Sequence, residues 1–249
     1  MSTDPLNIVN VGLSGMEASL TQMDVSANNV ANVGTAGFQG QDVEFQNMFA
    51  GAVAARISTN AAPGGLEPAG VGTDLAIAGA GFFVLGGANG GPIYTRDGNF
   101  SVGANGDLVE GSSGLTVTGV GGGPIVVPPG LTALAIGADG TVTGNLNGQP
   151  ATVGRIALAV FQNPGGLLRL GGGYQASANS GNVLTGAPAT AGYGSLVPGF
   201  LESSNVDLAS EIVKMIAAQA AYEANAKTVR TGDQILKTAV DIDSEKRDA

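Results

Sequence analysis

Apolar residues recur in steps of three and four along the first thirty positions, at Leu6, Val9, Leu13, Met16, Leu20, Met23, Ala27 and Val30. That spacing lines one face of an α-helix, and sustained over this length it forms a heptad seam. Asp4 is the expected N-cap, with Pro5 at the first helical position, where its missing N–H costs nothing. Asn28, Asn29 and Asn32 predict the end of the helix, because their side chains compete for nearby backbone groups. Gly34, Thr35 and Gly37 then carry the chain through a bend to Phe38. A second seam begins at Leu208 and runs through Ile212, Met215, Tyr222, Val229, Leu236 and Val240, interrupted at Gln219 and Asp233. Ser204 is its expected cap, with Asp207 in the capping-box position. Neither helix has a local partner, so the two ends are expected to pair as a coiled-coil-like module.

Between them the period changes. Residues Phe38 to Phe49 read as packed but irregular structure, and Ala50 to Ala62 as a short helix or a loop. The Pro/Gly-rich stretch Ala61 to Pro68 reads as a linker. Beyond it, short apolar runs are bounded by glycine: Leu75 to Ile77, Phe82 to Leu85, Leu115 to Thr118, Ile125 to Val127, and the alternating Ile156, Leu158 and Val160. Asp97-Gly98, Asn105-Gly106 and Asp139-Gly140 supply hairpin turns, because such turns need positive φ. Asn163 to Gly199 reads as Gly-rich and irregular, with one or two strands. The fold class is therefore α+β: long terminal helices, and a central all-β domain of short antiparallel strands. The expected division is 1–37 with 200–249 as a helical assembly domain, 38–73 as a connecting segment, and 74–199 as the β-domain.

Composition narrows the functions. The chain of 249 residues carries a formal charge of −10, which argues against nucleic-acid binding. Histidine and cysteine are absent, so the common catalytic triads, thiolate metal sites and disulfides are unavailable. Six of the ten basic residues lie on the second helix and its end: Lys214, Lys227, Arg230, Lys237, Lys246 and Arg247. No basic segment precedes an apolar run at the N-terminus and no long apolar stretch occurs, so neither a cleaved signal peptide nor a membrane span is expected.

Sharper chemical readings fail on their details. Gly79-Ala80-Gly81 lacks the third glycine and the following helix of a dinucleotide fingerprint, and a tight turn is the better account. Asp97, Asn99 and Ser101 imitate the start of a calcium loop, but Val102 and Leu108 stand where glycine and a bidentate glutamate are needed. Asp97 with Asp107 is the only easy catalytic carboxylate pair, and isolated turn carboxylates are usually structural. No enzyme, cofactor or metal site is expected. Both helices carry apolar stripes wider than one helix pair can bury, so copies of the chain are expected to pack side by side, joined head to tail in a helical polymer. Replacing Leu20 with Asp is expected to cost several kcal/mol by placing a charge in that core.

The residues also resemble a known family. Asp24-Val25-Ser26-Ala27-Asn28-Asn29-Val30-Ala31-Asn32-Val33-Gly34-Thr35-Ala36-Gly37-Phe38 is similar to the N-terminal signature of the bacterial flagellar rod and hook axial proteins. Three further stretches match in order: Asp74 to Ile77 with Gly81-Phe82-Phe83, then Tyr94-Thr95-Arg96-Asp97-Gly98-Asn99-Phe100, then Glu202 to Leu208 through Met215-Ile216 to Ala221-Tyr222-Glu223. The C-terminal helix most resembles that of the distal rod members. The resemblance implies a structural rod subunit that polymerises into a helical tube, transmits torque and encloses an export channel. It implies as partners further copies of the chain, other rod and hook proteins, the type III export apparatus, and the periplasmic and outer-membrane rings. It implies a place in the basal body and periplasmic space, reached without a cleaved signal. A short hook protein, or an adhesin or phage-tail-like β-protein, is the alternative.

Overall fold

The helix α1 runs from Pro5 to Ala31 and is the first element of a computed structural model that describes residues 5–47, 53–87 and 91–247. Asp4, the expected cap, and Met48, Phe49 and Ala50 lie outside the described residues. The chain divides into two units. The first comprises residues 1–31, 41–58 and 207–249, and the second residues 32–40 and 59–206. The stretch 38–73 is thus shared between the two.

In the helical unit, α1 packs against α2, Leu208–Arg247, a helix of 40 residues and ~60 Å. The helices run antiparallel, since Gly12 lies against Val229 and Gly15 against Asn225. Asp207, not Ser204, is the N-cap of α2: its carboxylate accepts from the amides of Ala209 at 2.9 Å and Ser210 at 3.3 Å. The Ser204 hydroxyl instead accepts from Val206 within the preceding turn. An Asx residue directly before the first helical turn satisfies the free amides there, which a serine three residues earlier cannot reach.

The rest of the unit is a ribbon of two strands, β1 (Gln41–Asn47) and β2 (Val53–Thr59). Residues 53–59 are therefore a strand, neither helix nor loop. The run Val-Ala-Ala-Arg-Ile-Ser-Thr carries too few apolar positions for either period to stand out, and pairing with β1 decides it.

The second unit contains the remaining strands, all of whose ladders are antiparallel: β3 (Leu66–Pro68), β4 (Leu75–Ala78), β5 (Phe82–Leu85), β6 (Ile93–Thr95), β7 (Phe100–Val102), β8 (Leu108–Glu110), β9 (Leu131–Ile136), β10 (Thr141–Leu146), β11 (Gln149–Arg155), β12 (Leu158–Phe161), β13 (Leu168–Leu170), β14 (Gly173–Gln175), β15 (Val183–Gly186), β16 (Ser195–Pro198) and β17 (Phe200–Glu202). A six-stranded sheet has the order β13-β14-β6-β5-β12-β15, a three-stranded sheet β11-β10-β9, and β16-β4, β17-β3 and β7-β8 form pairs. The region 163–199 thus holds four strands, β13 to β16, where its sequence signals one or two. Residues 115–118 and 125–127 contribute isolated bridges.

Asn105-Gly106 turns β7 into β8, and Asp139-Gly140 turns β9 into β10, both with the glycine at positive φ. Asp97-Gly98 is no hairpin, because β6 pairs with β5 and β14 while β7 pairs with β8. Gly98 is there for space: a Cβ would fall 1.6 Å from the Leu75 carbonyl oxygen.

β5 carries the core. Phe83 and Leu85 face one cluster with Leu75, Ile77, Phe100 and Leu108, and Phe82 and Val84 face a second with Tyr94, Phe161, Leu167 and Tyr174. Ring pairs Phe83–Phe100 at 4.9 Å and Tyr94–Phe161 at 4.8 Å meet edge to face, the favoured aromatic geometry. A strand buried on both faces reads as a continuous apolar run, which is how Phe82 to Leu85 reads.

Candidate assembly site

Two constellations hold the sequence-predicted residues, one in each unit. On α1 the buried positions are Gly12, Ala18, Ser19, Val25, Ser26 and Asn29; on α2 they are Glu211, Ala218 and Gly232. The contact between the helices runs along small residues. An added Cβ at Gly12 would lie 2.7 Å from Val229 Cγ2, and one at Gly15 would lie 2.6 Å from Asn225 Nδ2. Glycine inside a helix lowers its propensity, so two glycines one turn apart mark a close approach, a signal present in the sequence but masked by the larger residues beside it.

The seam residues flank this contact. Val9, Met16, Met23 and Val30 on α1 and Met215, Tyr222, Val229 and Leu236 on α2 are half-buried. Leu13 keeps 50% of its surface exposed, Leu20 45%, Leu208 43% and Ile212 45%, and Val213 and Ile216 are exposed as well. Leu6 lies in the first turn of α1. The helix pair, within one chain, therefore presents a broad apolar flank to its surroundings. At the head of α2, Lys214 bridges Glu211 at 2.8 Å and Asp42 of β1 at 2.9 Å. Desolvation alone would lower its ammonium, but the two carboxylates outweigh it and lift Lys214 above its ordinary value.

The signature residues at the end of α1 are polar anchors. Asn29 is buried and clamps the backbone of Gln41 from both sides, donating to its carbonyl at 2.8 Å and accepting from its amide at 2.9 Å. Asn28 is exposed. In the second unit, Thr35 donates its amide to the Asn32 carbonyl and accepts from Phe38, which winds residues 32–38 into successive turns. Gly34 is exposed, with open space around it.

Gly37 is the pivot of the bend. Its φ is +65°, and a Cβ would fall 2.2 Å from the Asp97 nitrogen. The bend therefore lies flush on the Arg96–Asp97 backbone, a contact only glycine allows. Phe38 is buried beneath the Arg169 guanidinium, 3.9 Å from its ring centroid.

The third motif closes this node. The Gly37 amide donates to the Glu202 carbonyl at 2.7 Å. Asn205 accepts from the Gly40 amide at 2.7 Å and donates to the carbonyls of Asn60 at 2.9 Å and Ala62 at 2.7 Å. The Glu202 carboxylate accepts from the Gly64 amide at 3.0 Å and faces Arg96 at 3.5 Å, with both side chains 4% exposed or less. Burial drives Glu202 up and Arg96 down, and each offsets the other's desolvation. Arg96 keeps its charge, since guanidinium titrates far above neutrality. Arg96, Glu202 and Asn205 lie within the family-like stretches but no role can be read for them there, and Arg169 is not singled out at all, because an isolated polar residue in a short strand or turn carries no periodicity.

The arrangement holds backbone through the Glu202 and Asn205 side chains and the Gly37 amide. Among the described residues, no group of three or more acidic, His or Cys side chains is placed to bind a metal ion, and no helix is long and apolar enough to cross a membrane. Paired terminal helices with an apolar flank, and a β-unit knotted where three separated motifs meet, define a structural α+β subunit.

Family comparisons agree in position with these elements. A flagella basal body rod protein model matches residues 9–39, a flagellar hook protein FlgE/F/G D1 domain model matches 76–144, and a flagellar basal body rod FlgEFG protein C-terminal model matches 197–242. The chain is 35% identical to flagellar basal-body rod protein FlgG of Bacillus subtilis, over 93% of this chain and 97% of that protein. It is 36% identical to the FlgG of Caulobacter vibrioides over the same shares. Flagellar hook protein FlgE of Escherichia coli is 45% identical over 117 residues, 46% of this chain and 29% of that protein. The chain belongs to the flagellar basal-body rod family. It is a structural subunit of the flagellar rod, not an enzyme.

Proposed function

We propose that this subunit polymerises into a distal-rod-like helical tube through the apolar flank of its paired helices. The observation that carries the reading is the half-exposed state of Leu13, Leu20, Leu208 and Ile212 within a single chain. Large aliphatic residues in register on two long helices, left open to water, call for cover, and further copies joined head to tail provide it. The helix pair acts as a coiled-coil-like inner layer around an export channel, and the polymer transmits torque. Other rod and hook proteins cap its two ends, and the rings of the periplasm and outer membrane surround it. The subunit reaches the periplasmic space through the type III export apparatus.

Near-full-length similarity to rod proteins, against partial similarity to a hook protein, favours the rod over a short hook. Electron microscopy of the concentrated, purified chain tests the reading. Filaments or tubes are expected, and their loss in Leu20→Asp. A chain that stays strictly monodisperse at high concentration would overturn it.

A further inference from the structure

Two turns of this subunit are built from the same dipeptide and held in opposite ways. Asn147-Gly148 joins β10 to β11, and Asn105-Gly106 joins β7 to β8. A third such pair, Asn89-Gly90, lies outside the described residues. Asn105 and Asn147 are both exposed, so solvent base reaches each of them. In both pairs the glycine carries no Cβ to screen its own amide nitrogen from the asparagine side chain.

The Asn147 turn is the shortest kind that closes an antiparallel ladder. Leu146 pairs with Gln149, and the two residues between them have φ of +53° and +79°, as a type I′ turn requires. Among the described residues, the Gly148 amide donates to no acceptor and the Asn147 side chain makes no hydrogen bond. Apart from its chain neighbours, no atom lies within 4 Å of where a Gly148 Cβ would be. Nothing there opposes a rotation that carries the Gly148 nitrogen towards the Asn147 side chain.

At Asn105 the corresponding nitrogen is committed. The Gly106 amide donates to the Gly103 carbonyl at 2.9 Å, and the Gly106 carbonyl accepts from the Val127 amide at 2.8 Å. A Cβ on Gly106 would lie 2.7 Å from the Val127 carbonyl oxygen, so this turn is packed as well as bonded. Turning its nitrogen towards Asn105 breaks the bond to Gly103 and moves the peptide against Val127.

We infer that Asn147 is a site of spontaneous deamidation in the folded subunit, while Asn105, followed by the same residue, is spared. The Gly148 nitrogen attacks Cγ of Asn147. The N–Cγ bond forms, the Cγ–Nδ2 bond breaks, the attacking nitrogen loses its proton to solvent, and ammonia leaves with a proton from solvent. Water then adds to the cyclic imide. Opening at the side-chain carbonyl gives aspartate, and opening at the main-chain carbonyl gives isoaspartate, with one extra methylene in the backbone.

Either product adds one negative charge to a formal charge of −10. A two-residue turn has no slack for an added backbone atom, so isoaspartate unpairs Leu146 from Gln149 and loosens β11, an edge strand of its sheet. The chemistry belongs to the folded chain itself and does not depend on the assembly reading.

Peptide mapping by mass spectrometry of the full chain, aged in dilute, mildly alkaline buffer, reads both sites in the same molecule. Deamidation at Asn147 is expected to be at least about tenfold faster than at Asn105, the factor set by one hydrogen bond that must break before attack. Concentrated urea removes the turns, and there the two rates are expected to converge. Equal rates in the folded chain, or a faster Asn105, would overturn the inference. A gap of the same size in urea would overturn it too, because the flanking residues and not the turns would then set the rates.

Discussion

The amide of Gly37 donates to the carbonyl of Glu202 at 2.7 Å, joining residues 165 positions apart in a single backbone hydrogen bond. That bond ties the bend after α1 to the segment before α2 within one unit. Within that unit, Gly37 and Glu202 are thereby held on the same β-structure, and the Arg96 turn lies against both.

Any side chain at Gly37 meets both a forbidden φ and the Asp97 backbone. Gly37→Ala is expected to cost about 2 kcal/mol or more, from left-handed strain and a displaced turn. Gly34→Ala, with open space around it, is expected to stay within about 0.5 kcal/mol of wild type. Urea unfolding of the two variants followed side by side checks the contrast.

Removing one partner of the buried pair should be far worse than removing both. Arg96→Met leaves the Glu202 carboxylate without its counter-charge in the interior, at a cost of roughly 3–5 kcal/mol. The double variant Arg96→Met with Glu202→Gln is expected to recover part of that loss. A double-mutant cycle by chemical denaturation measures the coupling, and strictly additive losses would contradict it.

Asn205 makes three hydrogen bonds to backbone on two separate segments, so Asn205→Ala leaves one amide and two carbonyls unanswered. A loss of about 2–4 kcal/mol is expected, at roughly 1 kcal/mol for each bond and more where the orphaned group stays dry. Amide exchange at Gly40 should accelerate in the variant.

The helix pair separates folding from assembly. Leu20 is 45% exposed in the single chain, so Leu20→Asp is expected to cost about 1 kcal/mol or less there, not the several kcal/mol of a buried core site. Its effect should fall on polymerisation. Gly15→Val does the reverse, since its side chain would collide with Asn225, and overpacking is expected to cost about 1–3 kcal/mol in the isolated chain. Circular dichroism of dilute protein and microscopy of concentrated protein distinguish the two outcomes.

The pattern of residues carried much of this molecule. The 3.6-residue period placed both helices nearly to their ends, the glycine-bounded apolar runs placed β4, β5 and β12, and Asn105-Gly106 and Asp139-Gly140 marked true turns. Periodicity is local, and each of these elements announces itself within a dozen residues. Its errors have the same origin. Residues 53–59 carried no period and became a strand by pairing, and Asp97-Gly98 looked like a hairpin because a positive-φ turn and a close backbone approach both favour glycine.

What the sequence determined by itself was therefore most of the elements, the absence of thiol and histidine side chains, and the presence of two long apolar faces. The tertiary structure decided which atoms on those elements meet. It placed Gly12 and Gly15 at the helix contact and left Leu13 and Leu20 beside it, because helices approach most closely where side chains are smallest. It brought Gly37, Arg96 and Glu202 together across the length of the chain, because buried polar groups must find partners wherever in the sequence those partners lie.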